Sequence, residues 1–213
     1  GFVPRFVAAS AVIGKPVLTL HLQEARRGGS VILGPMEVAL SAGETLALTG
    51  PSGVGKTTLL RVLAGLERDF TGSRPAPDRI GMVFQEPVLL PWRTAAQNLV
   101  IACGLVRAEV ETALDEVGLS GMGDLYPGQL SLGQQRRLAL ARGFASGAKI
   151  LLMDEPFVSL DPATVEGVIS VYERLRARHG VSTVLVTHSS SEVARLADRV
   201  LRLEETPARL VEP

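Results

Sequence analysis

One eight-residue segment constrains this chain more than any other. Gly50-Pro51-Ser52-Gly53-Val54-Gly55-Lys56-Thr57 fits the pattern G-x-x-x-x-G-K-[ST], with Thr58 following. Thr45–Thr49 before it reads as a short apolar strand. After it, Leu59, Leu60, Leu63 and Leu66 recur at helical spacing and predict a buried helix. Strand, glycine-rich turn and helix in that order place a phosphate cradle at a strand end in an α/β fold. The glycines let successive backbone N–H groups curl around phosphate oxygens, where side chains would obstruct them. The helix N-terminus adds its partial positive charge. In this pattern Lys56 reaches the β- and γ-phosphates, the Thr57 hydroxyl ligates Mg²⁺, and Thr58 donates to the α-phosphate. A plain glycine-rich turn with a surface lysine explains neither the spacing nor the flanking elements. The motif predicts a bound nucleoside triphosphate.

The rest of the chain agrees with that fold class. Its 213 residues suit one domain, and 46% apolar residues supply a core. Lys plus Arg (22) equals Asp plus Glu (22), which argues against bulk-charge coating of nucleic acid. The single cysteine, Cys103, excludes an intramolecular disulfide or a multi-cysteine metal site. No apolar run approaches the roughly 18 residues of a membrane-spanning helix.

Short strand patterns alternate with helical ones, at Val17–Leu22, Val31–Leu33, Glu37–Leu40, Ile80–Phe84, Ile150–Met153 and Thr183–Thr187. Gly72–Pro77 reads as a turn-rich break. Residues from roughly Glu86 to Leu130 carry only helical signals. Thr94-Ala-Ala-Gln97 is a capping box, and a second helix carries Val110, Ala113, Leu114 and Val117 before Gly118. Asp161-Pro162 and Ser189…Glu192 mark two further helix starts.

Ile150-Leu151-Leu152-Met153 runs into Asp154 and Glu155. A buried strand ending in acids sets them at the carboxyl edge of the sheet, where open α/β folds bind ligands. Asp154 is the candidate Mg²⁺ holder, through a water. Glu155 is the candidate general base that polarises an attacking water.

With Leu130-Ser131-Leu132-Gly133-Gln134-Gln135 ahead of a helix and the Asp-Glu pair about 20 residues later, the chain resembles ABC-type ATPases. Phe84-Gln85-Glu86-Pro87 is similar to their Q-loop, Ser159-Leu160-Asp161 to their D-loop, and Val186-Thr187-His188 to their switch histidine. The resemblance spans roughly Val17 to Leu203. It implies a P-loop NTPase core with a mixed, largely parallel sheet, an antiparallel β subdomain and an inserted helical subdomain. Residues 1–16 are then an irregular arm, 17–213 the ATPase domain, and approximately 86–145 the helical insertion.

The resemblance also implies roles. Gln85 touches the Mg²⁺ or attacking-water region and reports to the helical insertion. His188 contacts the γ-phosphate and supports Glu155. Ser131, the Gly133 N–H and Gln134 bind the ATP held by a second copy, with Asp161 also at the nucleotide. Two ATP molecules are then sandwiched in a twofold dimer. Partners follow likewise: a separate membrane permease and a solute-binding protein, with no direct nucleic acid. The chain would lie peripherally on the cytoplasmic face of the membrane, hydrolysing ATP to import a small solute. The stretch Met82–Arg93 is similar to the Q-loop segment of nitrate, sulfonate and taurine importers. Within it Leu89, Leu90 and Trp92 either line a permease groove or pack the insertion's own core. An ABC ATPase serving an exporter, a lipid-trafficking complex or a non-transport process is the alternative. Two positions depart from the family pattern. Leu132 replaces a usual glycine, and Arg27 stands near the usual base-stacking aromatic, either stacking as a guanidinium or simply solvated.

Overall fold

The computed structural model describes residues 5–6 and 15–211. In chain order the first elements are β1 (Arg5–Phe6), β2 (Pro16–Arg27), β3 (Ser30–Leu33), β4 (Met36–Ser41), β5 (Thr45–Thr49), α1 (Lys56–Ala64) and β6 (Phe70–Ser73). Then come β7 (Ile80–Val83), α2 (Ala95–Cys103), α3 (Arg107–Glu116), α4 (Leu132–Ala145), β8 (Ile150–Asp154) and α5 (Pro162–His179). The chain continues with β9 (Ser182–Val186), α6 (Ser190–Leu196), β10 (Arg199–Glu204) and β11 (Arg209–Val211). Of the arm expected over residues 1–16, Arg5 and Phe6 pair in parallel with Arg199 and Val200. Pro16 opens β2, and the remainder, Lys15 apart, lies outside the described residues. No helix among the described residues is long and apolar enough to cross a membrane.

The chain divides into two compact units, one of residues up to Ile80, Leu152–Asp154 and Ser182 onward, the other of Gly81–Leu151 and Glu155–Val181. In the first, β1, β10, β5 and β9 lie side by side in parallel, and β11 runs antiparallel on β10. The end of β8 neighbours β9. Strands β8 and β9 are buried at every residue, and β5 at all but Thr49. Their continuous apolar runs are what a parallel sheet covered on both faces requires. A second, antiparallel sheet sets β3 and β4 on β2, with β6 also on β2. There Leu18, Leu20 and Leu22 are buried while alternate positions are not, the period-2 pattern of a strand with one covered face.

Two expectations are corrected here. Gly72 and Ser73, read as part of a turn, belong to β6 and pair with Leu22 and His21. Gly72 is needed because a Cβ there would stand 2.1 Å from the His21 carbonyl oxygen. Leu66, expected on the buried face of the first helix, is 53% exposed. Gly65 adopts φ 74° and ends α1, its N–H reaching the Arg61 and Val62 carbonyls, so the helical spacing stops before Leu66.

The second unit is mainly helical. In α5, Val168, Val171, Tyr172 and Leu175 are buried at i, i+3, i+4, i+7 spacing. Tyr172 meets Phe144 of α4 with ring centroids 6.3 Å apart and a tilt of 52°. The Thr94 capping box forms as expected, its hydroxyl accepting from the Gln97 N–H and its own N–H donating to Gln97. Asn98, 2% exposed, binds Leu90 at both N–H and carbonyl and donates to Arg93 and Thr94, fixing the loop before α2. Trp92 on that loop is 68% exposed and does not pack the unit's core.

Candidate nucleotide-binding site

Strand β5 delivers the chain into the glycine loop, and α1 takes it out. Gly50, Gly53 and Gly55 have φ of 138°, 76° and 117°, a region side chains rarely enter. A Cβ on Gly50 would lie 2.3 Å from the Leu203 carbonyl oxygen, and one on Gly55 2.7 Å from Leu33 Cδ2. Nothing stands within 4 Å of a Cβ on Gly53. Its side-chain position is therefore open, which suits a backbone meant to face a ligand. Pro51 and Ser52 are exposed, Val54 half-buried.

Lys56 is only 6% exposed, and its ammonium donates to the carbonyls of Gly50 (2.9 Å) and Pro51 (2.8 Å). The charge is thus held inside the loop's curl. Thr57 is exposed and Thr58 is buried. The start of α1 has Gly55 as its cap, no side-chain cap and no acid in its first turn. Each other α-helix among the described residues has one of these: Thr94, Ser131, Asp161 and Ser189 cap α2, α4, α5 and α6, and Glu109 lies in the first turn of α3. The start of α1 thus lacks a capping side chain, the condition in which a helix start can receive an external anion.

Parallel register brings a second motif to the same edge. Leu48 on β5 pairs with Val186 on β9. Two residues further along each strand come Gly50 and His188. His188 is exposed, on a turn pinned by buried Thr187. The Thr187 hydroxyl donates to Glu192 (2.5 Å) and accepts from the Ser189 N–H (3.0 Å). Asp154 ends β8 at 9% exposure. Arg27 is exposed at the end of β2, opposite Ser30.

The remaining candidates lie in the second unit. Glu155 is half-buried with φ 45°, and Ser159 follows at φ 63°. Two non-glycine residues in the left-handed region store strain in the loop after Asp154, where a functional carboxylate is expected. Ser131 caps α4 reciprocally: its hydroxyl oxygen accepts from the Gln134 N–H (3.2 Å), and its N–H donates to Gln134 (2.8 Å). That uses an acceptor lone pair of the hydroxyl and leaves its proton available to a phosphate oxygen. Asp161 caps α5, accepting from the Thr164 N–H (3.1 Å) and hydroxyl (2.5 Å). These bonds hold its carboxyl below the ordinary value. Gln85 is exposed, and Arg136 binds its backbone carbonyl.

Sequence reasoning missed Thr164, Asn98 and Arg136, and it named Thr187 only as part of the Val186-Thr187-His188 motif, not as the residue that pins the turn. Arg136 is 4% exposed, and burial pulls its guanidinium below the ordinary value while Glu86 opposes the shift.

The profile of a family described as ABC transporter matches residues 33–158. Three curated proteins illustrate the similarity. The aliphatic sulfonates import ATP-binding protein SsuB 1 of Pseudomonas syringae pv. syringae is 40% identical over 197 residues, 91% of this chain and 83% of that protein. SsuB 3 of Paraburkholderia xenovorans, with the same description, is 45% identical over 201 residues, 93% of this chain and 81% of its own. SsuB 2 of Pseudomonas syringae pv. tomato is 42% identical over 185 residues, 85% and 80% respectively.

Proposed function

The chain belongs to the ABC transporter family, and on that premise we propose that it powers import of an aliphatic sulfonate through a separate membrane permease. As a family member it binds ATP and hydrolyses it. The observation that carries the site reading is the start of α1. It has neither a side-chain cap nor an acidic residue, and it opens behind three glycines of positive φ with Lys56 drawn into the loop. That arrangement fits a triphosphate tail.

The residues around it take the following roles. Lys56 and the loop N–H groups bind the β- and γ-phosphates, and Thr58 supports the α-phosphate end. Among the described residues no cluster of three or more His, Cys, Asp or Glu could hold a metal ion. Mg²⁺ would come with the nucleotide, and the hard oxygens of Thr57, Asp154 and Gln85 suit it. Bound there, it would neutralise charge on the phosphates. Glu155 takes a proton from the attacking water, and His188 contacts the γ-phosphate. Ser131 and the Gly133 N–H, at the start of α4, bind the γ-phosphate held by a second copy, with Gln134 and Asp161 beside them. Two copies then close on two ATP molecules and part after hydrolysis. A solute-binding protein delivers the sulfonate, and the chain sits on the inner face of the membrane.

Membrane vesicles assembled with the chain and its co-isolated permease test this reading. ATP inside the vesicles should drive uptake of ethanesulfonate, and Lys56→Ala should abolish it. Uptake that ignores ATP, or survives Lys56→Ala, would overturn it.

A further inference from the structure

Helix α4 carries three arginines whose guanidinium groups bind backbone carbonyls of loops in the same unit. Arg137 donates to Val117 (3.2 Å) and Gly118 (3.4 Å), where α3 ends. Arg142 donates to Val88 (2.6 Å) and Pro87 (3.0 Å). Arg136 donates through Nη1 to Phe84 (3.2 Å) and Gln85, and through Nη2 to Val158 (3.3 Å). The Val158 N–H in turn reaches the Glu155 carbonyl (3.4 Å), closing the turn that begins at Glu155.

We infer that Arg136 is a positioning residue for ATP hydrolysis, its fork holding the Gln85 backbone and the Glu155 turn in one fixed relation to the helix that Ser131 opens. The inference rests on the roles given above to Gln85 and Glu155. Three features carry it. Arg136 is 4% exposed, so its bonds are shielded from water. Its Nε has no hydrogen-bond partner, a penalty that an apolar side chain of similar volume would avoid. Packing alone therefore does not call for arginine here, whereas joining two loops does. The turn it holds at Val158 is itself strained, with positive φ at Glu155 and Ser159, and it keeps that conformation only under external restraint. A lysine concentrates its donors on one nitrogen and lacks the two separately aimed nitrogens of the planar fork, so it holds the two loops less firmly.

The test compares Arg136→Gln, Arg136→Lys and Arg137→Gln in the full chain, measuring kcat, ATP dissociation constant and melting temperature. Both Arg136 variants should lose about 10- to 100-fold in kcat while the ATP dissociation constant changes less than about twofold. Arg137→Gln, which loses the same kind of bonds elsewhere on α4, should lower melting temperature without that split. A folded Arg136→Gln with the kcat of Arg137→Gln overturns the inference. Glu155→Gln run alongside separates the two readings. If it keeps full kcat, the site reading fails. If it is inactive while Arg136→Gln is fully active, only the role of Arg136 fails. Should Arg136→Gln not fold, hydrogen exchange on the unsubstituted chain decides. ATP should change exchange at Gln85–Glu86 and Val158–Ser159 with one shared midpoint, and separate midpoints overturn the inference.

Discussion

Gly133 lies so close to Thr164 that a Cβ on the glycine would come within 2.5 Å of Thr164 Cγ2. The same threonine binds Asp161 through its N–H and its hydroxyl, so the starts of α4 and α5 share one residue. Glycine at 133 thus answers to packing as well as to any ligand. Gly133→Ala should destabilise the chain by about 1–3 kcal/mol in urea unfolding. Thr164→Ser removes the methyl and keeps the hydroxyl, so the double variant should recover part of that loss. Simple additivity would contradict the contact.

Where the fold depends on neighbours in sequence, the sequence announced it. The glycine loop, the Thr94 box, the Asp161-Pro162 start and the Ser189 cap are local, and each formed as read. Gly72 was misread because β6 exists through pairing with β2 some 50 residues earlier, which glycine and serine do not advertise. Arg136 was invisible for a related reason. A charged residue in a helix reads as solvated, and its burial depends on carbonyls 51 and 52 residues away. The edge shared by Gly50 and His188 needed the β5–β9 register, which no single motif encodes.

Acid should reveal the Asp161 cap. Its carboxyl sits below the ordinary value of 3.8 because Thr164 binds the charged form. The contribution is complete above the unfolded value and is lost as pH falls through the folded one. Asp161→Asn keeps a capping oxygen but cannot titrate. Stability of the parent chain should fall more steeply below about pH 4 than that of Asp161→Asn. Parallel curves in a urea–pH series would contradict this.

Glu44 and Arg199 form a buried pair, 10% and 5% exposed, with Nε to Oε1 at 2.6 Å. Glu44 also accepts from the Ser41 N–H (2.7 Å), and Arg199 donates to the Ala39 carbonyl. Removing one partner strands the other charge. Arg199→Ala should therefore cost about 3–5 kcal/mol, read from denaturant midpoints. A loss below 1 kcal/mol would show that the pair is not buried in solution.

Trp92, 68% exposed, should be nearly neutral for folding, so Trp92→Ala is expected to change stability by less than about 0.5 kcal/mol. If this loop meets the permease, the same variant loses permease-stimulated ATP hydrolysis while its basal rate persists. Full stimulation in a folded Trp92→Ala chain would place the permease contact elsewhere.

The most direct measurement is on Glu155→Gln, comparing ATP hydrolysis, ATP binding and mass in solution with Mg²⁺ present. Hydrolysis should fall about 10²- to 10⁴-fold, ATP should still bind, and the mass should double when it does. A Glu155→Gln chain that hydrolyses at the parent rate and stays monomeric with ATP would contradict this reading.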